Sequence, residues 1–239
     1  MPPPCHSEQL RQRIRLAEPR LDVAARAFWT HPRLARMFPE FLLALHSAML
    51  GGVSLMQAAA VCASKKAPTD PAAAGILGYL SRHIREERHH HKWLLEDMVA
   101  IGMDRHEILR RAPLPMVAAL IGSQYYWVFH AHPVTVLGYL CVLEGKPASA
   151  RQLNEIRARI GLPPEGFRTL LRHAHEDHQH RDDLTQMINH LPLEDTHITL
   201  ITLSAFQTIE MVSRLFEDII DSNKNQRVDS SLLAQGVPR

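Results

Sequence analysis

The segment His173–His180 reads HAHEDHQH and holds four histidines, a glutamate and an aspartate. Imidazole nitrogens and carboxylate oxygens are ligands that iron, manganese and zinc bind well. His173, Asp177 and His180 are spaced i, i+4, i+7, so they share one helix face, and the apolar stripe of the predicted helix continues that face inward. A carboxylate buried between two imidazoles is costly unless a cation neutralises it. The spacing therefore predicts a metal site.

A second candidate set lies in the segment HIREERHHHKWLLEDM, whose inward stripe is continued by Glu87 and by either His90 or His91. Glu87 and His90 form the Glu-x-x-His spacing found in diiron and dimanganese carboxylate bundles. Glu144 follows the apolar run VLGYLCVL and is a third candidate, although a glutamate at a helix end can also be solvated. The histidines on other helix faces, namely His89, His91, His175 and His178, are predicted to lie on the surface.

Helical periodicity dominates the chain, and no convincing alternating strand pattern is found, so we predict one all-α domain over residues 1–222. Residues 223–239 are polar and are predicted to form a disordered tail. An amphipathic, Arg-rich segment reaches about residue 26. The predicted helices after it are 41–64, 70–100, a short one after 104, 115–129, 134–143, 149–160, 166–191 and 196–220.

The bulk composition is ordinary, with 239 residues, 46% hydrophobic and 22% charged. A formal net charge of +2 gives no reason to expect nucleic acid or an anionic membrane as a partner. Apolar runs such as PMVAALIG are shorter than the ~20 residues of a spanning helix, and the first residues lack the apolar core of a signal peptide. We therefore expect a cytoplasmic protein. Three scattered cysteines, Cys5, Cys62 and Cys141, argue against a disulfide framework or a cysteine zinc site.

With these residues identified, the chain from about residue 28 to 220 resembles the haem-oxygenase-like diiron oxidases, or iron-containing redox enzymes. The motif His-x-x-x-Asp-x-x-His carries the resemblance, together with Glu-x-x-His and the segment HPVTVLGYLCVLEG. It implies a bundle of about seven helices, two Fe(II) ions, O2 as co-substrate, and oxidation of a small molecule, often an amino acid or a fatty acid. The implied ligands are Glu87, His90, Glu144, His173, Asp177 and His180.

One position departs from the family pattern. The resemblance implies a further glutamate ligand from the first long helix, but this sequence has Gln57 there. We expect Gln57 to lie on the inward stripe with Val53, Met56 and Ala60 as a possible weak ligand. A neutral amide in place of a carboxylate predicts a labile second iron, a mononuclear enzyme, or a helical binding protein whose metal site has degenerated.

The predicted substrate is a small molecule, expected to be an amino acid or an amino-acid-derived metabolite in the biosynthesis of a specialised metabolite. Tyr125, Tyr126, Trp127, His130 and His132 precede the Glu144 helix and are candidates to line its pocket, although core packing explains these residues equally well. A haem-binding or thiaminase-like member of the same fold is the other alternative, which the inward carboxylates disfavour. A homodimer is possible.

Overall fold

The computed structural model describes residues 5–145 and 148–234, without the side chains of Asp177 and of residues 225–234. Within this part the chain forms α-helices and two short 3-10 turns, and no strand. The helices are α1 (His6–Ile14), α2 (Glu18–Trp29), α3 (Leu34–Lys66), α4 (Pro71–Glu87), α5 (His90–Ala100), α6 (Arg105–Arg110), α7 (Pro115–His130), α8 (Val136–Leu143), α9 (Ala150–Ile160), α10 (Arg168–His190) and α11 (Asp195–Ala234). The turns are Pro133–Thr135 and Pro164–Phe167. The all-α prediction is confirmed, with eleven described helices rather than about seven.

Local signals in the sequence set the starts of several helices. Asp70 caps α4, since its carboxylate accepts a hydrogen bond of 2.9 Å from the backbone N–H of Ala73. Pro71 occupies the first turn, where its missing N–H costs nothing. Ser149 opens α9 with a capping box to Gln152. These elements could be placed from the sequence because the cap residues are within three positions of the groups that they satisfy.

The predicted helix over residues 70–100 is two helices in the structure, because α4 ends at Glu87 and α5 begins at His90. No apolar residue occurs between Ile84 and Trp93, so no core contact continues the helix across this run. Neither proline nor glycine marks the break, which explains why periodicity missed it. The break matters for function because it lies inside the predicted Glu-x-x-His motif.

The disorder expected of residues 223–239 stays a prediction. Helix α11 continues to Ala234, through most of the segment 223–239. The chain has no glycine or proline from Asp195 until Gly236, so nothing in the backbone forces the helix to end earlier. Residues 235–239 lie outside the described part.

Helix α3 runs through the core and packs against α4, α5 and α7, while α11 packs against α2, α7 and α8. In the described part, α3 is the one helix long and apolar enough to cross a membrane by length and composition. Its residues Leu42 and Leu55 are fully buried within the bundle. Since the core helix of a globular bundle passes the same test, this finding is weak evidence for a membrane.

Gly138 allows α8, which ends beside Glu144, to approach α11 closely. A Cβ atom at position 138 would lie 2.2 Å from the carbonyl oxygen of Ile201 and 2.7 Å from the backbone nitrogen of Ala205. We expect Gly138→Ala to lower the free energy of unfolding by about 1–3 kcal/mol, the usual cost of overpacking, measured by urea denaturation. Gly122→Ala is the matched control, since it meets no atom within 4 Å and lies inside a helix. It should raise stability by up to about 1 kcal/mol.

Candidate metal centre

The N-terminus of α10 is fixed to α5 by a buried carboxylate. Asp97 is 1% exposed and accepts a hydrogen bond of 2.7 Å from the backbone N–H of Thr169 and one of 3.2 Å from Nε of Arg168. Phe167 precedes α10 and has no side chain that could cap the helix, so Asp97 supplies the acceptor from another helix. This contact holds the part of α10 that carries His173 beside the part of α5 that begins with His90.

A first group of metal-binding side chains is formed where α4 and α5 meet α10. Suitable ligand atoms of Glu87, His90 and His173 lie within 4.8 Å of one another. Nδ1 of His90 is 2.9 Å from a carboxylate oxygen of Glu87, and the rings of His90 and His173 meet edge to face at 4.8 Å. Trp93 stacks on His90 at 4.3 Å, and the Arg172 guanidinium covers the Trp93 ring. Glu87 and His90 are therefore in contact even though α4 ends at one of them and α5 begins at the other.

A second group lies beside the first. Ligand atoms of His83, Glu86 and His180 are within 4.8 Å of one another. Nε2 of His83 is 2.8 Å from Oε1 of Glu144, and the rings of His83 and His180 meet edge to face at 4.9 Å. The second group thus combines residues of α4 and α10 with Glu144, which directly follows α8.

Glu87 connects the two groups. One of its carboxylate oxygens is 2.9 Å from Nδ1 of His90, and the other is 3.7 Å from Nδ1 of His180. Burial disfavours the charged carboxylate, but contact with His90 and the nearby charges of His173 and His83 outweigh it, so the pKa of Glu87 is lowered. A carboxylate that is ionised and faces both groups can bridge two metal ions.

The donor set fits a divalent cation. Both ring nitrogens of His83, His90 and His180 lie between 2.8 and 3.9 Å from carboxylate oxygens. Oε2 of Glu144 is buried and has no hydrogen-bond partner, which is costly for an ionised carboxylate unless a cation neutralises it. Deprotonated carboxylates converging on imidazole nitrogens are typical of iron and manganese sites.

In a third group, the ligand atoms of Asp70, His132 and His197 are close enough to share a metal ion. The hydrogen bonds of the two imidazoles nevertheless disfavour metal binding. Nδ1 of His132 accepts a hydrogen bond from the backbone N–H of Val134, and Nδ1 of His197 accepts one from Glu194. In a neutral imidazole the proton must then be on Nε2, the atom that faces Asp70 in His132. If Nε2 bound a metal ion, the proton of each imidazole would have to move to Nδ1. The Nδ1–H group would then face the backbone N–H that Nδ1 now accepts from, and that hydrogen bond would be lost. This group is a structural His–Asp pair that ties the start of α4 to the turn Pro133–Thr135.

A cavity of about 300 Å³ opens onto His83 and His180 of the second group and onto Glu87, Glu144 and His173. Its lining is mainly apolar and comes from six helices, α2, α3, α4, α8, α9 and α10. The lining residues away from the metal-binding end include Trp29, Phe41, Leu45, Met49, Val53, Met56, Leu140, Leu143, Leu153 and Leu170. Among the described lining residues, none is a lysine or an arginine. The cavity therefore has an apolar body and one polar end, formed by the candidate ligands.

Most of the predicted ligands meet in the structure. Glu87, His90 and His173 form the first group, and Glu144 and His180 contact the second. Asp177 lies on α10 between the two α10 histidines, but its side chain is outside the described residues. The surface histidines His89, His175 and His178 are exposed, as the sequence predicted, while His91 is half-buried.

Two predictions about side-chain direction were wrong. Gln57 is exposed, so it lies on the outer face of α3 and not on the inward stripe. Val53 and Met56 of the predicted stripe do line the cavity, whereas Gln57 is turned about 100° around the helix from Met56.

The α7 residues predicted to line the substrate pocket, Tyr125, Tyr126, Trp127 and His130, are not among the cavity-lining residues. Helix α7 packs against α3 and α11, and Tyr126 and His130 are exposed. His132 pairs with Asp70, at 2.7 Å. The aromatic residues that do line the cavity are Trp29, Phe41 and Tyr139. Trp29 and Phe41 precede the region of the predicted pocket by about 90 residues.

His83 and Glu86 are members of the second group that sequence reasoning missed. His83 is three residues after the buried Leu80 and seven before His90, so it lies one turn further along the inward stripe. That spacing could have identified it, but His83 was hidden by the more conspicuous run of histidines after Arg88.

Comparison with known proteins gives a family and a fold. A family model described as an iron-containing redox enzyme matches residues 82–212, which is more than half of the chain. No curated protein matches. A domain of unknown function with a heme oxygenase-like fold from Shewanella denitrificans is 18% identical, with a TM-score of 0.64 over 93% of this chain and 95% of its own. A TenA homolog from Pseudomonas syringae pv. tomato is 13% identical, with a TM-score of 0.67 over 88% and 92%. At such identities the likeness shows a haem-oxygenase-like fold alone.

Proposed function

This chain belongs to the iron-containing redox enzyme family, and from that premise we propose that it is a non-haem diiron oxidase or oxygenase. The proposed enzyme binds two Fe(II) ions and uses O2 to oxidise a small molecule. The observation that carries the proposal is the convergence of four histidines and three glutamates from α4, α5, α10 and the end of α8 beside an apolar cavity.

Each set of residues has a separate task in this proposal. His90 and His173 would hold one ion and His180 and Glu144 the other, with Glu87 between the two groups and Asp177 as a further ligand implied by the family. Bound Fe(II) would supply the electrons that activate O2. The apolar side chains around the ligands exclude water, which strengthens the electrostatic interactions of the site and limits side reactions. Trp93 fixes the plane of the His90 ring by stacking.

The substrate is proposed to be a small molecule with a hydrophobic body and its polar groups at one end. The apolar lining favours the burial of hydrocarbon, and a polar group is accommodated only at the metal-binding end. An amino acid with a large apolar side chain, or a derivative of one, satisfies this description. Small polar amino acids do not, because the cavity would desolvate their polar atoms without replacing the hydrogen bonds.

The test is O2 consumption by the protein loaded anaerobically with Fe(II), measured with panels of apolar and polar amino acids and simple carboxylic acids. We expect about two irons per chain. Compounds with a large apolar part should raise the rate of O2 consumption above that of the protein without any added compound, whereas small polar amino acids should not. Equal rates with and without every compound, at full iron occupancy, would contradict the oxygenase proposal. Protein that retains no iron would contradict the metal assignment itself and favour the binding-protein alternative.

A homodimer and a cytoplasmic location remain predictions from the sequence. The degenerate-site alternative was based on Gln57, and that side chain is exposed and outside the ligand groups. The neutral amide therefore says nothing about whether the site binds metal. The question that remains is what replaces the carboxylate that the resemblance implied from α3.

A further inference from the structure

We propose that His83 is a ligand of the second iron and takes the role that the resemblance gave to a carboxylate of α3. The inference rests on the proposed function, because it concerns the same pair of ions. It differs in what it assigns: an imidazole from α4 instead of a carboxylate from the first long helix.

Helix α3 offers no carboxylate to the site. Glu40 is the only acidic residue between Leu34 and Lys66, and it lies 2.6 Å from Nη2 of Arg111 and does not line the cavity. Gln57 is exposed. The face of α3 toward the metal groups consists of aliphatic, glycine and methionine residues, such as Met49, Val53 and Met56. A second metal position must therefore take its ligands from other helices.

His83 lies where such a ligand is needed. Its side chain is 2% exposed, and its Nε2 atom is 2.8 Å from Oε1 of Glu144. Its ring meets that of His180 edge to face at 4.9 Å and stacks on Tyr79 at 5.3 Å. Ligand atoms of His83 and His180 lie within 4.8 Å of each other, and Glu144 at the end of α8 contacts His83. The stacked Tyr79 fixes the ring plane of His83 as a supporting residue does for a metal-bound histidine.

The charges around His83 agree with this role. Nε2 of His83 is 2.8 Å from a carboxylate oxygen of Glu144, and its Nδ1 is 3.7 Å from one of Glu86. A cation at this position would interact favourably with the same carboxylates. Since a metal-bound imidazole is neutral, the second position has one negative charge fewer than a site with an α3 glutamate. It should therefore bind a dication more weakly than a site with that additional glutamate would.

The competing role is positioning. His83 could serve only as a hydrogen-bond donor that orients Glu144, with no bond to a metal. The two roles differ in what a substituted side chain must offer: a donor N–H for positioning, and a lone pair for ligation. Glutamine at position 83 can donate but ligates weakly, whereas glutamate ligates well but cannot donate in its ionised form.

The experiment compares wild type with His83→Ala, His83→Gln and His83→Glu, each loaded with Fe(II) anaerobically or with Co(II) as a redox-stable probe. The metal-to-protein ratio after desalting and the melting temperatures of apo and loaded protein are measured. We expect about two ions in wild type and His83→Glu, and about one in the other two variants. Apo His83→Glu should melt lower than wild type, because two carboxylates face each other, and should gain more on Co(II) binding.

His178→Ala, on the exposed face of α10, is the matched control and should keep both ions. Retention of both ions by His83→Gln, with loss of one by His83→Glu, would overturn ligation in favour of positioning. The same ratio in wild type and His83→Ala would overturn any role of His83 in metal binding. Wild type that holds no iron and no cobalt would overturn the proposed function, and with it this inference.

Discussion

Glu87→Ala is expected to abolish the binding of both metal ions. The Glu87 carboxylate lies 2.9 Å from His90 of the first group and 3.7 Å from His180 of the second, so its removal takes a ligand from each position. Even a residue that only orients a ligand changes metal affinity by about 10- to 100-fold, and a bridging ligand should be worth more than that for each ion. The ratio of iron to protein after anaerobic loading and desalting is the measurement.

Glu87→Gln and Glu155→Ala refine this prediction. The glutamine amide keeps one oxygen ligand and cannot bridge, so we expect it to retain one ion at most. Glu155 is exposed on α9 and pairs only with Arg151, at 2.9 Å, so its alanine variant should bind iron as wild type does. Two ions in Glu87→Ala would show that Glu87 lies outside the coordination shells.

His173→Ala is expected to remove the ion of the first group and leave the second. The His173 ring contacts that of His90 at 4.8 Å and lines the cavity, and alanine offers no ligand atom in its place. At a free Fe(II) concentration of about 100 times Kd, a bound ion adds about 2.7 kcal/mol to stability. For a chain of this size the loss of one ion should lower the melting temperature of the loaded protein by about 5–10 °C.

The matched controls for His173→Ala are its neighbours on other faces of α10. His175 and His178 are exposed, so the alanine variants of both should retain two ions and the wild-type melting temperature of the loaded protein. Apo His173→Ala should melt close to apo wild type, since its apolar neighbours can pack against alanine. Damage by His175→Ala equal to that of His173→Ala would mean that the assigned inward face of α10 is wrong.

Local features of the chain determined the helical class and most of the candidate ligands. Hydrophobic periodicity identifies helices because side chains three and four positions apart share a face, whatever the rest of the fold does. The same rule placed His173 and His180 on the inner face of α10 and indicated that Glu87 and His90 lie close together. Glu144 was found because it directly follows an apolar run. The helix caps at Asp70 and Ser149 can also be predicted from the sequence, because each contacts a backbone group only three residues away.

Only the tertiary structure decided how these ligands are divided and what completes them. Gln57 of α3 was assigned to the wrong face, because periodicity does not separate the edge of an inward stripe from the exposed side next to it. The break between Glu87 and His90 has no proline or glycine to mark it. The lining of the cavity includes Trp29 and Phe41, which are far from Glu144 in the sequence.

His83 was missed for a different reason. Its role depends on a contact of 2.8 Å with Glu144, which lies 61 residues away. One histidine on a helix carries no sign of the partner that packing will bring to it. The spacing of residues along a helix determines which side chains share its inward face. The packing of α4 and α10 with the end of α8 determines which of those side chains meet.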